Sequence, residues 1–148
     1  GAFTGGPNAY DNTDGTYATN AASTDHTFQD YTNSVPGSDT IEGVEVKLEV
    51  SYTSGSGVFN VELSHDGGTS WTSTKTTGSI GTTDTVVTLG GPSDKWRRTW
   101  TPSEFTDANF RVRISGNPSA NTAQIDAIQV KVFHQATGGG GGGGGGAI

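Results

Sequence analysis

The residues in this chain best suited to meeting a ligand are flat aromatics and the charged groups near them. Trp96 and Trp100 lie four apart around Arg97 and Arg98. On a regular strand the two indoles share one side, and with Arg97 beside them they form a shallow platform for the CH face of a sugar ring. The competing fate for a tryptophan in so polar a chain is the core. Trp71, Tyr10, Tyr17 and Tyr31 add further rings. His26, His65 and His134 are far apart in the chain, and no His-x-x-x-His, Gly-x-Ser-x-Gly or phosphate-binding glycine loop is present. Glu45, Glu49 and Glu62 fall on outward faces of predicted strands, where solvated charge resists edge-to-edge aggregation. Arg111 and Arg113 fall on an outward face too and are placed to pair with acids across strands. These residues lack the paired, environment-shifted groups of general acid–base chemistry. The expectation is a protein that is not an enzyme.

Composition narrows the partners. The chain has 148 residues, with 8 Lys plus Arg against 15 Asp plus Glu, a formal net charge of −7. That sign opposes a phosphate backbone, so nucleic acid is not an expected partner. There is no cysteine, hence no disulfide and no thiolate site. No stretch of about 18 apolar residues exists to span a bilayer. A Thr-, Ser- and Gly-rich chain that begins at Gly1 without methionine reads as an exported product whose signal has been removed. The expected place is extracellular or cell-surface, with a virion as the alternative.

Periodicity supplies the elements. Val44, Val46, Leu48 and Val50 alternate with Glu45, Lys47, Glu49 and Ser51, a period of two that predicts a half-buried strand. Gly55-Ser56-Gly57 turns the chain, and Val58 to Ser64 predicts a second strand, expected to pair antiparallel with the first. Further strands are expected from Trp71 toward Lys75, at Thr85 to Leu89, Trp96 to Thr101, Phe110 to Ile114, and Ile125 to His134. In the last, Ile125 falls on the opposite parity to Ile128, Val130 and Val132. Pro102 to Phe105 predicts one helical turn. About eight strands without an amphipathic helix predict an all-β fold, an antiparallel β-sandwich of jelly-roll type. Residues 1–40 form a loop-rich segment with edge strands in the same domain, 41–135 the sandwich core, and 136–148 a polyglycine tail.

That tail contains nine consecutive glycines, Gly138 to Gly146, then Ala147 and Ile148. Ordering such a stretch costs about 1–2 kcal/mol per residue in backbone entropy. Its available force is main-chain hydrogen bonding, as a strand added to a sheet edge or as packed polyglycine helices. Both are expected to need a second copy of the chain. Gly138, Gly142 and Gly146 with Ala147 and Ile148 are therefore the expected assembly residues, the last two as a small apolar plug; the alternative is a flexible linker.

Several short motifs resemble known families. Ser64-His65-Asp66-Gly67-Gly68-Thr69-Ser70-Trp71 resembles the Asp-box hairpin of sialidase propellers. The resemblance implies a structural turn in which Ser64, Asp66, Gly68 and Trp71 brace one another. A single copy without the arginine triad implies no sialidase activity. Asn8 to Tyr17, the run NAYDNTDGTY, resembles the early loop of galactose-binding-domain-like jelly rolls, which include discoidin domains and several carbohydrate-binding modules. In that group the loop wraps a structural calcium. The resemblance implies Asp11, Asp14 and Thr16 as ligands with Asp126 as the closing acid, a set of the oxygen donors that Ca2+ accepts. The alternative is an Asx-turn network without metal. Residues 58–133 are similar to β-sandwich domains of bacterial surface and phage tail proteins, which implies display or assembly rather than chemistry.

Together these readings predict a non-enzymatic extracellular protein that assembles with copies of itself into a filament, fibre or surface layer through strand or tail exchange. The alternatives are a carbohydrate-binding module acting on surface glycans through Trp96, Trp100 and Arg97, or the receptor-binding domain of a phage tail fibre.

Overall fold

The computed structural model describes residues 18–20, 25–29, 31, 34–116, 122–137 and 146–147. Its strands are β1 Ala18–Asn20, β2 His26–Phe28, β3 Asp39–Tyr52, β4 Phe59–Ser64, β5 Lys75–Thr76, β6 Thr85–Gly90, β7 Arg111–Gly116, β8 Ala123–Ala136 and β9 Gly146–Ala147. The pairings nest. β1 pairs with β8, β2 with β7, β3 with β6 and β4 with β5, all antiparallel. A hairpin this long cannot bury its apolar face while flat. Folding it over brings β8 beside β3 and β7 beside β4. The result is two sheets, ordered β1-β8-β3-β6 and β2-β7-β4-β5, with β9 also against β8. Eight strands so wound are a jelly roll.

The inward faces supply the core. Val44, Val46, Leu48 and Val50 from one sheet meet Phe59, Val61, Leu63, Val112 and Ile114 from the other, all fully buried. Each such side chain contributes about 1.5–3 kcal/mol by leaving water. One end is closed by rings: Phe105 lies 5.1 Å from Trp100 and 5.3 Å from Phe110, centroid to centroid. Phe105 arrives there on a 3-10 turn over Pro102–Phe105. Arg98 forks Glu104 through bonds of 3.0 and 3.2 Å, and Glu104 accepts the Thr101 N–H at 3.0 Å.

Two irregularities settle questions of parity. The β3–β8 register steps from Glu49↔Ala127 to Val50↔Ile125, so Asp126 is an extra residue on β8. A bulge of one residue flips the alternation. That is why Ile125 and Ile128 both face inward although they are three apart. A second step, Ile41↔His134 to Gly43↔Phe133, makes Glu42 the extra residue on β3.

The structure corrects three strand expectations. β3 and β4 do not pair: the turn at Gly55-Ser56-Gly57 carries the chain across the sandwich from one sheet to the other. The segment opening at Trp71 is a strand only at Lys75–Thr76. Trp96 to Thr101 is not a strand at all, since Trp96 and Arg97 have positive φ of 55° and 61°. The loop after β6 is clamped to β3 instead. Val44 N–H donates to Asp94 O at 2.9 Å, and Val44 O accepts from Trp96 Nε1 at 2.9 Å and from Gly91 N–H at 3.2 Å. So close an approach requires glycine beneath it: a Cβ on Gly43 would stand 2.2 Å from Gly91 O.

Candidate functional site

The residues with binding chemistry gather on the outward face of the β2-β7-β4-β5 sheet. In β4 and β7 the residues between the buried ones point outward, so Asn60 and Glu62 stand beside Arg111, Arg113 and Ser115. Register then fixes the neighbours. Glu62 pairs with Arg113, Asn60 with Ser115, Thr27 with Arg113 and Asn60 with Thr76.

Trp71 joins this face by way of the hairpin after β4. Ser64 Oγ donates to Asp66 Oδ1 at 2.9 Å and accepts the Gly68 N–H at 2.8 Å, and Asp66 Oδ1 accepts the Ser70 N–H at 2.8 Å. Gly67 and Gly68, with φ of 71° and 98°, supply a backbone shape that side-chain-bearing residues rarely adopt. The Ser70 N–H, together with the Ser64 hydroxyl, holds the Asp66 carboxyl down to about 2. The chain then returns along β4, with Thr72 N–H on Leu63 O at 2.9 Å. This lays the Trp71 ring under the Arg113 guanidinium, whose carbon is 4.1 Å from the ring centroid.

Arg113 is consequently held from several sides. Its Nε donates to Glu62 Oε2 at 2.6 Å and its Nη2 donates to the same oxygen. Asp25 Oδ2 stands 3.7 Å from Nε. Glu62 is fixed in turn by Thr74, whose hydroxyl donates to Oε1 at 2.6 Å, and Thr76 donates to Asn60 Oδ1 at 2.8 Å. Asp25, Asn60, Glu62, Thr74, Arg113 and Ser115 line an open groove of about 290 Å³. Such a set offers pre-positioned donors and acceptors in alternation, the pattern that matches neighbouring hydroxyl groups, each of which donates and accepts.

The sequence-predicted residues are distributed otherwise. Trp96 and Trp100 are 2% and 4% exposed, so the aromatic platform expected there lies in the core. The physical reason is the pair of left-handed residues, which turns Trp96 inward onto Val44 O, while Trp100 Nε1 donates to Lys95 O at 2.8 Å. Arg97 is exposed. Asp126 is fully buried at its bulge. Asp11, Asp14, Thr16, Gly138, Gly142 and Ile148 lie outside the described residues. Gly146 and Ala147 pair with His134 and Phe133 of the same chain. This end was expected to pair with a second copy; here it pairs within the chain, since β1 covers only Ala123 to Ile125 of that edge of β8 and leaves main-chain groups further along β8 open.

The groove residues Asp25, Asn60, Glu62, Thr74 and Ser115 were not singled out together by sequence. The alternation of Arg111, Arg113 and Ser115 was visible, as was that of Asn60 and Glu62. Pairing the two series requires knowing that β4 lies against β7, a contact between strands some fifty positions apart.

No protein-family profile matches the chain, and no curated protein matches it. Among solved structures it is similar to the C-terminal family 22 carbohydrate-binding module of Clostridium thermocellum Xyn10B, at 16% identity with a TM-score of 0.35, over 83% of this chain and 92% of that one. Among the described residues no helix is long and apolar enough to cross a membrane.

Proposed function

We propose that the outward face of the β2-β7-β4-β5 sheet binds a glycan, and that the protein is a non-catalytic carbohydrate-recognition domain acting outside the cell. The observation that carries this reading is Arg113 fixed between the Trp71 ring and the Glu62 carboxylate at the centre of an open polar groove. Hydrogen bonds to sugar hydroxyls replace hydrogen bonds to water, so each contributes about 0.5–1.5 kcal/mol net. Affinity then depends on how little must be ordered on binding, and here the cross-strand pair and Thr74 have already ordered the groups. The edge of Trp71 adds apolar contact for ring CH groups. Glu62 is engaged by three donors and serves to position Arg113 rather than to transfer protons. The test is retention on a panel of immobilised polysaccharides, comparing the wild type with Arg113→Ala, with circular dichroism as the folding control. Retention of at least one polysaccharide by the wild type and its loss in the folded variant support the reading; equal retention by both overturns it. The groove favours this reading over the filament expected from the tail.

We further propose that Asp126 is one ligand of a structural Ca2+ held with Asp11, Asp14 and Thr16. What supports it is the place of Asp126, a fully buried carboxylate at the β8 bulge, directly after the Ile125 that pairs with β1. A thermal unfolding midpoint that rises with added CaCl2 and falls with EDTA in the wild type, but not in Asp126→Asn, supports the site. An indifferent wild type overturns it.

A further inference from the structure

A second concavity, of about 170 Å³, opens at the β5 edge and is lined by Ser73, Thr74, Lys75, Trp96 and Arg97. It shares Thr74 with the groove, so the two follow one another over the rim of the sheet. Its electrostatics run against the rest of the molecule. Of the 8 cationic residues of the chain, Lys75, Lys95, Arg97 and Arg98 belong to this end. Asp94 takes Lys75 at 2.7 Å and Glu104 takes Arg98 at 3.0 Å. Lys95 and Arg97 have no ion-pair partner among the described residues. Two uncompensated positive charges thus sit at one end of a protein whose net charge is −7.

The backbone that presents Arg97 is strained. Arg97 has φ of 61° and directly follows Trp96 at 55°, a region where residues with side chains are uncommon and where glycine is the low-cost choice. Trp96 is locked there by Val44 O, by the Asp94 carboxylate accepting its N–H at 2.8 Å, and by Lys75 Nζ 5.1 Å from its ring centroid. Arg97 receives none of these contacts and is held in the same unfavourable conformation with its side chain exposed. Strain retained at a residue that contributes no packing points to a use for its side chain.

Resting on the glycan-binding reading, we infer that Arg97 forms a subsite for a carboxylate-bearing sugar residue, so that the preferred ligand is an acidic, uronate-containing polysaccharide that runs from the groove over Thr74 to the β5 edge. The guanidinium presents a planar fork that fits a carboxylate with two parallel bonds, and Lys95, likewise outside any ion pair among the described residues, adds positive potential at the same end. General attraction of polyanions is opposed by the overall negative charge, so the preference is local to this end.

The test uses the intact chain and a panel of neutral, uronate-containing and sulfated polysaccharides in affinity electrophoresis. The expected result is tightest retention of a uronate polymer. Reducing its carboxyl groups to alcohols should lower affinity about tenfold, the scale of one charge-assisted hydrogen-bonded pair. Arg97→Gln should bind the untreated polymer as weakly as wild type binds the reduced one, and should bind the reduced one unchanged. Arg97→Gly removes the strain along with the guanidinium, and is expected to melt higher than wild type while losing the same preference, so loss of folding is not the explanation. Equal retention of neutral and uronate polymers, or a preference for sulfated ones alone, overturns this inference and leaves the groove reading standing. Retention of nothing on the panel overturns both.

Discussion

Arg113 on β7 and Glu62 on β4 are register partners that meet in a two-donor ion pair, with Trp71 beneath the guanidinium. One strand contact thus joins the charged pair to the ring, and several consequences of that arrangement and its supports can be measured.

Arg113→Lys keeps the charge but loses the fork and the flat stacking surface. Glycan affinity should fall at least tenfold. The pair is half-buried and the lysine keeps a positive charge opposite Glu62, so the loss of stability should stay within about 1 kcal/mol. An affinity within twofold of wild type, measured by isothermal titration calorimetry, would show that the planar group is not what the ligand meets.

Trp96→Phe retains most of the buried area but deletes the Nε1 donor to Val44 O. The expected cost is about 1–3 kcal/mol, as for a buried hydrogen-bonding group deprived of a partner. Polysaccharide retention at temperatures well below melting should be unchanged. A loss of retention in the folded variant would restore the tryptophan platform that burial argues against.

Gly43→Ala drives a methyl into Gly91 O and Pro92, with contacts of 2.2 and 2.5 Å against backbone atoms. The loop over β3 has to lift. Destabilisation of about 2–4 kcal/mol, or failure to fold, is expected, in the range of severe steric insertions. Gly37→Ala, with nothing within 4 Å, is the control and should lie within about 0.5 kcal/mol of wild type. Equal melting temperatures for the two variants would disprove the clamp.

Asp66 provides a pH signature. Its folded-state carboxyl lies at about 2, below the ordinary value near 4. A depressed carboxylate stabilises the fold at pH values above its unfolded-state value, and this contribution is lost as pH falls from about 4 toward 2. The difference in urea midpoint between wild type and Asp66→Asn should therefore be largest at neutral pH and shrink across that window. A gap that stays constant from pH 7 to pH 2 would mean that the Ser70 N–H does not favour the charged form.

Asp94 responds to a different balance. Burial raises its carboxyl, but the Lys75 ammonium and the Trp96 N–H act against burial and leave it lowered. Lys75→Met removes the larger opposing contribution while keeping the chain's bulk. The Asp94 carboxyl titration, followed by carbon-13 NMR, should move upward in that variant, and an unmoved titration would show that the ammonium is not its partner.

Local regularities in the sequence were enough to identify many elements. The alternation at Val44 to Val50 named a strand and its inward residues, because a period of two needs no knowledge of partners. Pro102 to Phe105 was legible as a turn from its proline. The eight-strand jelly roll followed from strand count and composition, and the observed nesting of pairs realises it. The Trp96–Arg97 turn was not legible, since nothing in residue type announces two consecutive left-handed conformations. That of Trp96 is imposed by Gly90, Asp94 and the carbonyl of Val44, the last of them 52 positions away.

The amino-acid sequence by itself determined the all-β class, the acidic surface, the braced Ser64–Asp66 hairpin pattern and the inward series of each strand, because these depend on neighbours a few residues apart. Tertiary structure decided which strands share a sheet, whether a tryptophan faces water, and where the tail end pairs. The fold-over that separates β3 from β4 and joins β4 to β7 is a solution to burying two apolar faces at once. That requirement belongs to the whole chain, so the groove around Arg113 exists only after the sandwich has closed.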